Sequence, residues 1–196
     1  MRRTSRLLGP GFGVAILAAG AASATTITFD DIPVGSGTYV SIGAPYQGFN
    51  WSNVYVENNL YSDGYDNGIV SEPNAGFNGY GAVASFSAVS GTFVFNSGYF
   101  TSAFSPEEII VSDNLGDSKV FLINDSTPTL ESFGWAGVST VYLDAVSDGE
   151  GTQFVFDDLT VNGSAVPEPA TWAMMLVGFG ALGATLRGAK RKLSMT

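Results

Sequence analysis

Residues 154–161 read FVFDDLTV, and the spacing of the apolar positions is that of a strand. Phe154 and Phe156 share one face at the two-residue period of a pleated chain. Leu159 and Val161 return to that face only if an extra residue is accommodated at Asp157-Asp158, which predicts a β-bulge there. Similar alternation occurs upstream. Ile27 and Phe29 are separated by Thr28, Phe93 and Phe95 by Val94, and Val141 and Leu143 by Tyr142. Residues 109–111 and 120–123 are short apolar runs suited to buried strands. Turn-forming clusters punctuate these runs: Gly35-Ser36-Gly37, Asn58-Asn59, Asn78-Gly79 and Asp148-Gly149-Glu150-Gly151. No part of residues 25–165 carries the period of an amphipathic helix, and no internal repeat is visible. Many short strands, Gly-rich turns and 14 Phe in the chain predict an all-β fold, an antiparallel β-sandwich.

The two ends differ from this middle span. Arg2, Arg3 and Arg6 form a positive start, residues 7–22 are mostly small and apolar, and Ala22-Ser23-Ala24 offers an A-x-A site before Thr25. This predicts a signal peptide over residues 1–24, exported by the Sec machinery and cut by signal peptidase between Ala24 and Thr25. A retained anchor is the alternative. Thr4-Ser5-Arg6 does not continue the arginine pair as a twin-arginine signal would. At the other end, Pro167-Glu168-Pro169 precedes an uncharged apolar run and then a basic tail. The two prolines fix two φ angles and remove two backbone donors, so the triplet is stiff and extended. A helix over residues 171–186 would span roughly 24 Å, short but workable against a hydrocarbon core of about 30 Å. Trp172 suits one membrane border, while Arg187, Lys190, Arg191 and Lys192 at the other place the C-terminus in the cytoplasm. The expected division is a sandwich domain over 25–163, a linker over 164–170, a transmembrane helix over 171–187 and a basic tail over 188–196.

Residues 166–192 resemble the PEP-CTERM sorting signal, in the subclass with Trp172-Ala173 after the triplet and a Met174-to-Gly180 run behind it. The resemblance implies that an exosortase, an intramembrane protease of Gram-negative bacteria that make extracellular polysaccharide, recognises and cuts the chain near Pro167, Glu168 and Pro169. The protein would be transiently anchored in the inner membrane and then reside at the cell surface or outside the cell. An ordinary single-pass anchor is the alternative.

Charge is unevenly distributed. Residues 25–165 hold 17 of the 18 acidic residues and only one of the 8 basic ones, Lys119, a net charge near −16. Such a field repels nucleic acid and anionic lipid and favours solubility and cation binding. The chain has no His and no Cys, which excludes a Ser-His-Asp triad, a Cys-His pair and a His-ligated zinc site. A Ser-Lys dyad could use only Lys119. Two carboxylates could hydrolyse a glycosidic bond, but no pair stands out. No catalytic residue is therefore assigned.

A second resemblance is carried by ITFDDIP at residues 27–33, PYQGFNWSN at 45–53 and FVFDDLTVNG at 154–163. These look like secreted jelly-roll domains with a galactose-binding-like sandwich, which implies the first and last strands in one sheet. Asp30 and Asp31 would then approach Asp157 and Asp158, and a structural calcium ion, common in such domains, would relieve their repulsion. A second oxygen-rich cluster lies at residues 63–67, although Asp and Asn also fill turns for local hydrogen bonding. No other cofactor is expected.

Tyr46, Trp51, Tyr55, Tyr61 and Tyr65 crowd into 20 residues with several Asn and Gln, a composition suited to sugar contact. Trp51 is assigned to the core, and Tyr61 and Tyr65 are the candidates for exposed carbohydrate contacts, with Trp135 a further platform. Two functional classes follow: a noncatalytic surface or matrix protein associated with extracellular polysaccharide or biofilm, and a structural or adhesive protein acting through protein contacts. A glycoside-active enzyme is a distant third.

Overall fold

The computed structural model describes residues 23–43, 45–60, 63–147 and 151–162. The signal peptide hydrophobic stretch, the linker, the transmembrane helix and the basic tail expected from the sequence lie outside these residues. So do Arg187, Lys190, Arg191 and Lys192. Among the described residues no helix is long and apolar enough to cross a membrane.

Among the described residues twelve strands form two antiparallel sheets. The strand at residues 154–161 is β12 (Phe154–Val161), and it lies inside the larger sheet. Its partner along one edge is β7 (Phe93–Ser102), flanked in turn by β10 (Thr129–Val138). The other edge is shared. β5 (Ala75–Asn78) pairs at Val155 and Phe156, whereas β1 (Thr25–Ile27) pairs further on, with Thr25 opposite Val161. β4 (Val54–Asn58) and β2 (Thr38–Ser41) complete this seven-stranded sheet. The predicted bulge falls at the handover between β5 and β1. The register against β7 shifts between Asp157 and Thr160, and Asp158 takes φ 50°. Phe154, Phe156, Leu159 and Val161 consequently all enter the same core.

The smaller sheet has the order β3 (Phe49–Ser52), β6 (Ala84–Ala88), β11 (Thr140–Ala145), β8 (Glu107–Asp113) and β9 (Ser118–Ile123). Between the sheets lies an aromatic core. Phe86 meets Trp51, Phe93, Phe95 and Phe49 at centroid distances of 5.2–5.7 Å, edge to face with Phe49 and Phe95 and stacked on Trp51, arrangements the ring quadrupole favours. Trp51 is buried, as expected.

Three local expectations are corrected. Phe29 does not extend the first strand: its φ is 63°, the chain turns there, and its ring still packs on Trp51 and Phe156. Residues 120–123 are not a buried run. β9 is an edge strand with one face in solvent, so Val120 and Leu122 are 52% and 64% exposed while Ile123 is buried. The cluster at 63–67 is not a loop. It forms a short helix, α1 (Asp63–Gly68), seated on the outer face of the larger sheet.

Candidate functional site

Alternation along the strands gives the larger sheet a second apolar surface, facing away from the sandwich core. Val54 and Val56 of β4 point inward, so Tyr55 and Glu57 point outward. By the same rule Ala75 and Phe77 of β5 and Val155 of β12 face outward, and together with Leu60, Tyr65 and Ala103 they form a separate buried cluster. α1 covers part of this face because two of its residues lack side chains. A Cβ on Gly64 would lie 2.2 Å from the Ser102 carbonyl oxygen, and one on Gly68 would lie 2.5 Å from Val155 Cγ1. The helix backbone therefore rests directly on β7 and β12.

Where α1 stops, a cleft of about 190 Å3 remains. Phe77 is its floor. Tyr55 stacks on Phe77 at 5.6 Å and 30°, while Tyr39 and Tyr65 meet it edge-on at 5.7 Å and 5.3 Å. Tyr80 stands edge-on to Tyr55 at 6.0 Å, Phe104 edge-on to Tyr65 at 5.8 Å, and Gln153 adds an amide. Among the described residues no charged side chain lines the cleft. Burial, with the neighbouring Tyr80 hydroxyl, raises the Tyr55 phenol above its ordinary range.

The rim is held by amides. Asn53 Nδ2 donates to the carbonyls of Gly79, Ala82 and Val83 at 2.9–3.1 Å, and Asn78 Oδ1 accepts the Phe154 N–H at 2.7 Å. These bonds fix a turn in which Tyr80 takes φ 56° and leaves its ring 79% exposed. Gly79 is required beside it, since a Cβ there would sit 2.3 Å from Tyr55 Cε2.

Two buried carboxylates lie on the same face beside α1. Glu57 accepts the Leu60 N–H through Oε2 at 3.1 Å, and its Oε1 has no partner among the described residues. Burial pushes its pKa up to about 7 against the pull of that one bond, and the charges of Asp66 and Asp157 add to the rise. Asp157 accepts the Val70 and Ser71 N–H groups at 2.8 Å and the Asp158 N–H at 2.7 Å. Burial raises it to about 7 as well, opposed by those backbone donors. Both acids are fully buried and neither borders the cleft.

The structure distributes the sequence-derived candidates differently. β1 and β12 do pair, but Asp30, Asp31, Asp157 and Asp158 do not converge. Asp30 accepts the Asn74 N–H at 3.3 Å, Asp31 accepts the Tyr46 hydroxyl, and Asp157 anchors residues 70–71. Among the described residues no three acidic side chains are grouped to hold a metal ion. Tyr65 is 5% exposed, not a free loop aromatic, because α1 turns its ring onto Phe77; it serves as a wall of the cleft. Trp135 is half-buried against Phe133 and Phe95, so it offers no open platform. Ala24 is exposed and Thr25 begins β1. Tyr61, Pro167, Glu168, Pro169, Trp172 and Ala173 lie outside the described residues. Tyr39, Phe77, Tyr80, Phe104 and Gln153 were not anticipated. The one local signal was Gly79-Tyr80-Gly81, an aromatic residue lifted between two glycines.

Residues 165–192 match the family model described as the PEP-CTERM protein-sorting motif, so the chain carries that C-terminal motif. No protein of curated function matches the chain. Similar solved structures include a CBM22-1 xylan-binding domain from Paenibacillus barcinonensis, at 16% identity, covering 76% of this chain and 99% of that one with a TM-score of 0.44. A family 29 carbohydrate binding module is also similar at 16% identity, covering 76% and 97% with a TM-score of 0.40.

Proposed function

We propose that this chain is a noncatalytic exported protein that an exosortase sorts to the cell surface or beyond, where its sandwich binds carbohydrate in the tyrosine-walled cleft. The carrying observation is the cleft itself: converging aromatic rings, phenol hydroxyls and one amide, held open by a rigid turn, with no charged group among the described residues that line it. Aromatic faces suit the apolar C–H faces of sugar rings, and hydroxyl and amide groups can both donate and accept at the ring edge. The sorting motif supports export, and extracellular polysaccharide or biofilm is the setting in which such a site would act.

The test is a glycan array probed with the full-length chain, kept soluble in a zwitterionic detergent that has no sugar headgroup to compete. Retained glycans are expected, with Tyr80→Ala weakening them about tenfold, the loss of one stacked ring. A protein that retains no glycan has a different function. The second reading, adhesion through protein contacts, rests on exposed Val120 and Leu122 along edge strand β9, since an open apolar edge invites a partner. It gains support if the glycan-negative protein self-associates and Leu122→Lys abolishes association.

A further inference from the structure

Resting on the carbohydrate reading of the cleft, we infer that the ligand is a neutral oligosaccharide spanning two connected subsites, not a single sugar or an anionic glycan. At about 190 Å3 the cleft is smaller than the usual pocket for a drug-sized ligand, which holds roughly 300 Å3 or more. It suits one ring. A second, wider depression of about 620 Å3 adjoins it, bordered by Gly151 and by three residues that also line the cleft: Tyr80, Phe104 and Gln153. The two hollows thus form one trough with a shared threshold.

Two exposed rings stand at the threshold. Tyr80 is 79% exposed and Phe104 is 46% exposed, leaving ring surface for a second sugar beyond the one in the cleft. Gln153, between the hollows, can reach a hydroxyl on either ring. Gly151, at φ 93°, presents backbone without a side chain to the wider depression, and a Cβ there would meet nothing within 4 Å. Nothing among the described residues therefore crowds that stretch of backbone.

Charge selects against uronates and sulfated sugars. Among the described residues neither hollow is lined by a cation, and acidic glycans are ordinarily recognised by Arg or Lys. The single Lys of residues 25–165, Lys119, is on β9 of the other sheet and pairs with Glu131. The surrounding 17 carboxylates repel a polyanion before contact.

Calorimetry and ligand-observed NMR on the full-length chain, in the same zwitterionic detergent, test this with gluco-, manno- and xylo-oligosaccharides of one to six rings and with oligogalacturonate. Affinity should rise about tenfold from one ring to three for at least one neutral series, one further stacked ring's worth. Phe104→Ala, which removes a ring shared by both hollows, should abolish that rise whatever it costs single-ring binding, whereas Tyr39→Ala, which lines only the cleft, should weaken every length equally. Affinity independent of length, or a rise that survives Phe104→Ala, overturns the two-subsite assignment while leaving the carbohydrate reading intact. Oligogalacturonate bound as tightly as the neutral ladder overturns the neutral selectivity. Binding of no glycan at all falls on the carbohydrate reading itself.

Discussion

Glu57 sits in the strand sequence Val-Tyr-Val-Glu-Asn, where alternation alone would aim it at water. It faces outward as expected but lies under α1, with Tyr65 and Asp66 of the helix on one side and Asp157 of β12 on the other. Its raised pKa has a thermodynamic consequence. Between the ordinary carboxylate range near pH 4.5 and about pH 7, the folded protein holds a proton that the unfolded chain has released. Stability must then fall as pH rises through that window and level off above it. Glu107, half-buried and raised by desolvation to about 7, and Asp157 act in the same direction. The melting temperature is expected to be higher at pH 5 than at pH 8, by roughly 4 °C for each 1 kcal/mol involved. Glu57→Gln should flatten part of the slope, because the amide needs no proton. A wild-type melt indifferent to pH would contradict the burial argument. The residue's role was invisible in the sequence because its cover comes from a helix whose presence could not be read.

At the scale of elements, what was legible and what was not have separate causes. The bulge in β12 could be read because four large apolar residues had to reach one face and Asp157-Asp158 was the single place to lose a residue. The pairing of first and last strands followed from the resemblance of their sequences to known sandwiches. α1 could not be read. Six residues are too few for a helical period, and Asp-Gly-Tyr-Asp-Asn-Gly has turn chemistry. Its helix is stabilised by contact with the sheet, through glycines at the two positions nearest β7 and β12. Gly64→Ala should therefore cost about 1–3 kcal/mol or more, because the atoms in the way are backbone. It should also displace Tyr65 and weaken ligand binding. Gly43→Ala, where a Cβ meets nothing within 4 Å, is the control, expected within about 0.5 kcal/mol of wild type. Equal melts for the two variants would show that α1 is not seated as described.

For the molecule as a whole, sandwich class and charge asymmetry were available from the sequence, while the cleft was not. Its walls come from β2, β4 and the residues after it, α1, β5, the turn carrying Tyr80, the segment after β7 and the segment before β12, joined only by the folded sheet order. Aromatic density near residues 46–65 pointed to the right neighbourhood but not to which rings would line a cleft, since local crowding cannot distinguish a wall from a plug. Export and sorting make their own prediction. In a host with the cognate protease, the mature protein should lack both ends, and intact-mass measurement should find neither residues 1–24 nor 171–196. A mature product that keeps residues 171–196 would refute the processing scheme.

The pairing of Thr25 with Val161 puts the domain's entry and exit side by side. Gln153, at the mouth of the cleft, lies at the opposite end of β12, eight residues and about 26 Å away along the strand. Any grip exerted through the C-terminal motif therefore acts at one pole while the aromatic mouth opens at the other. Suspended that way, the globule would present its binding face outward, like a lamp hung by its cord, and severing the cord would leave that face untouched.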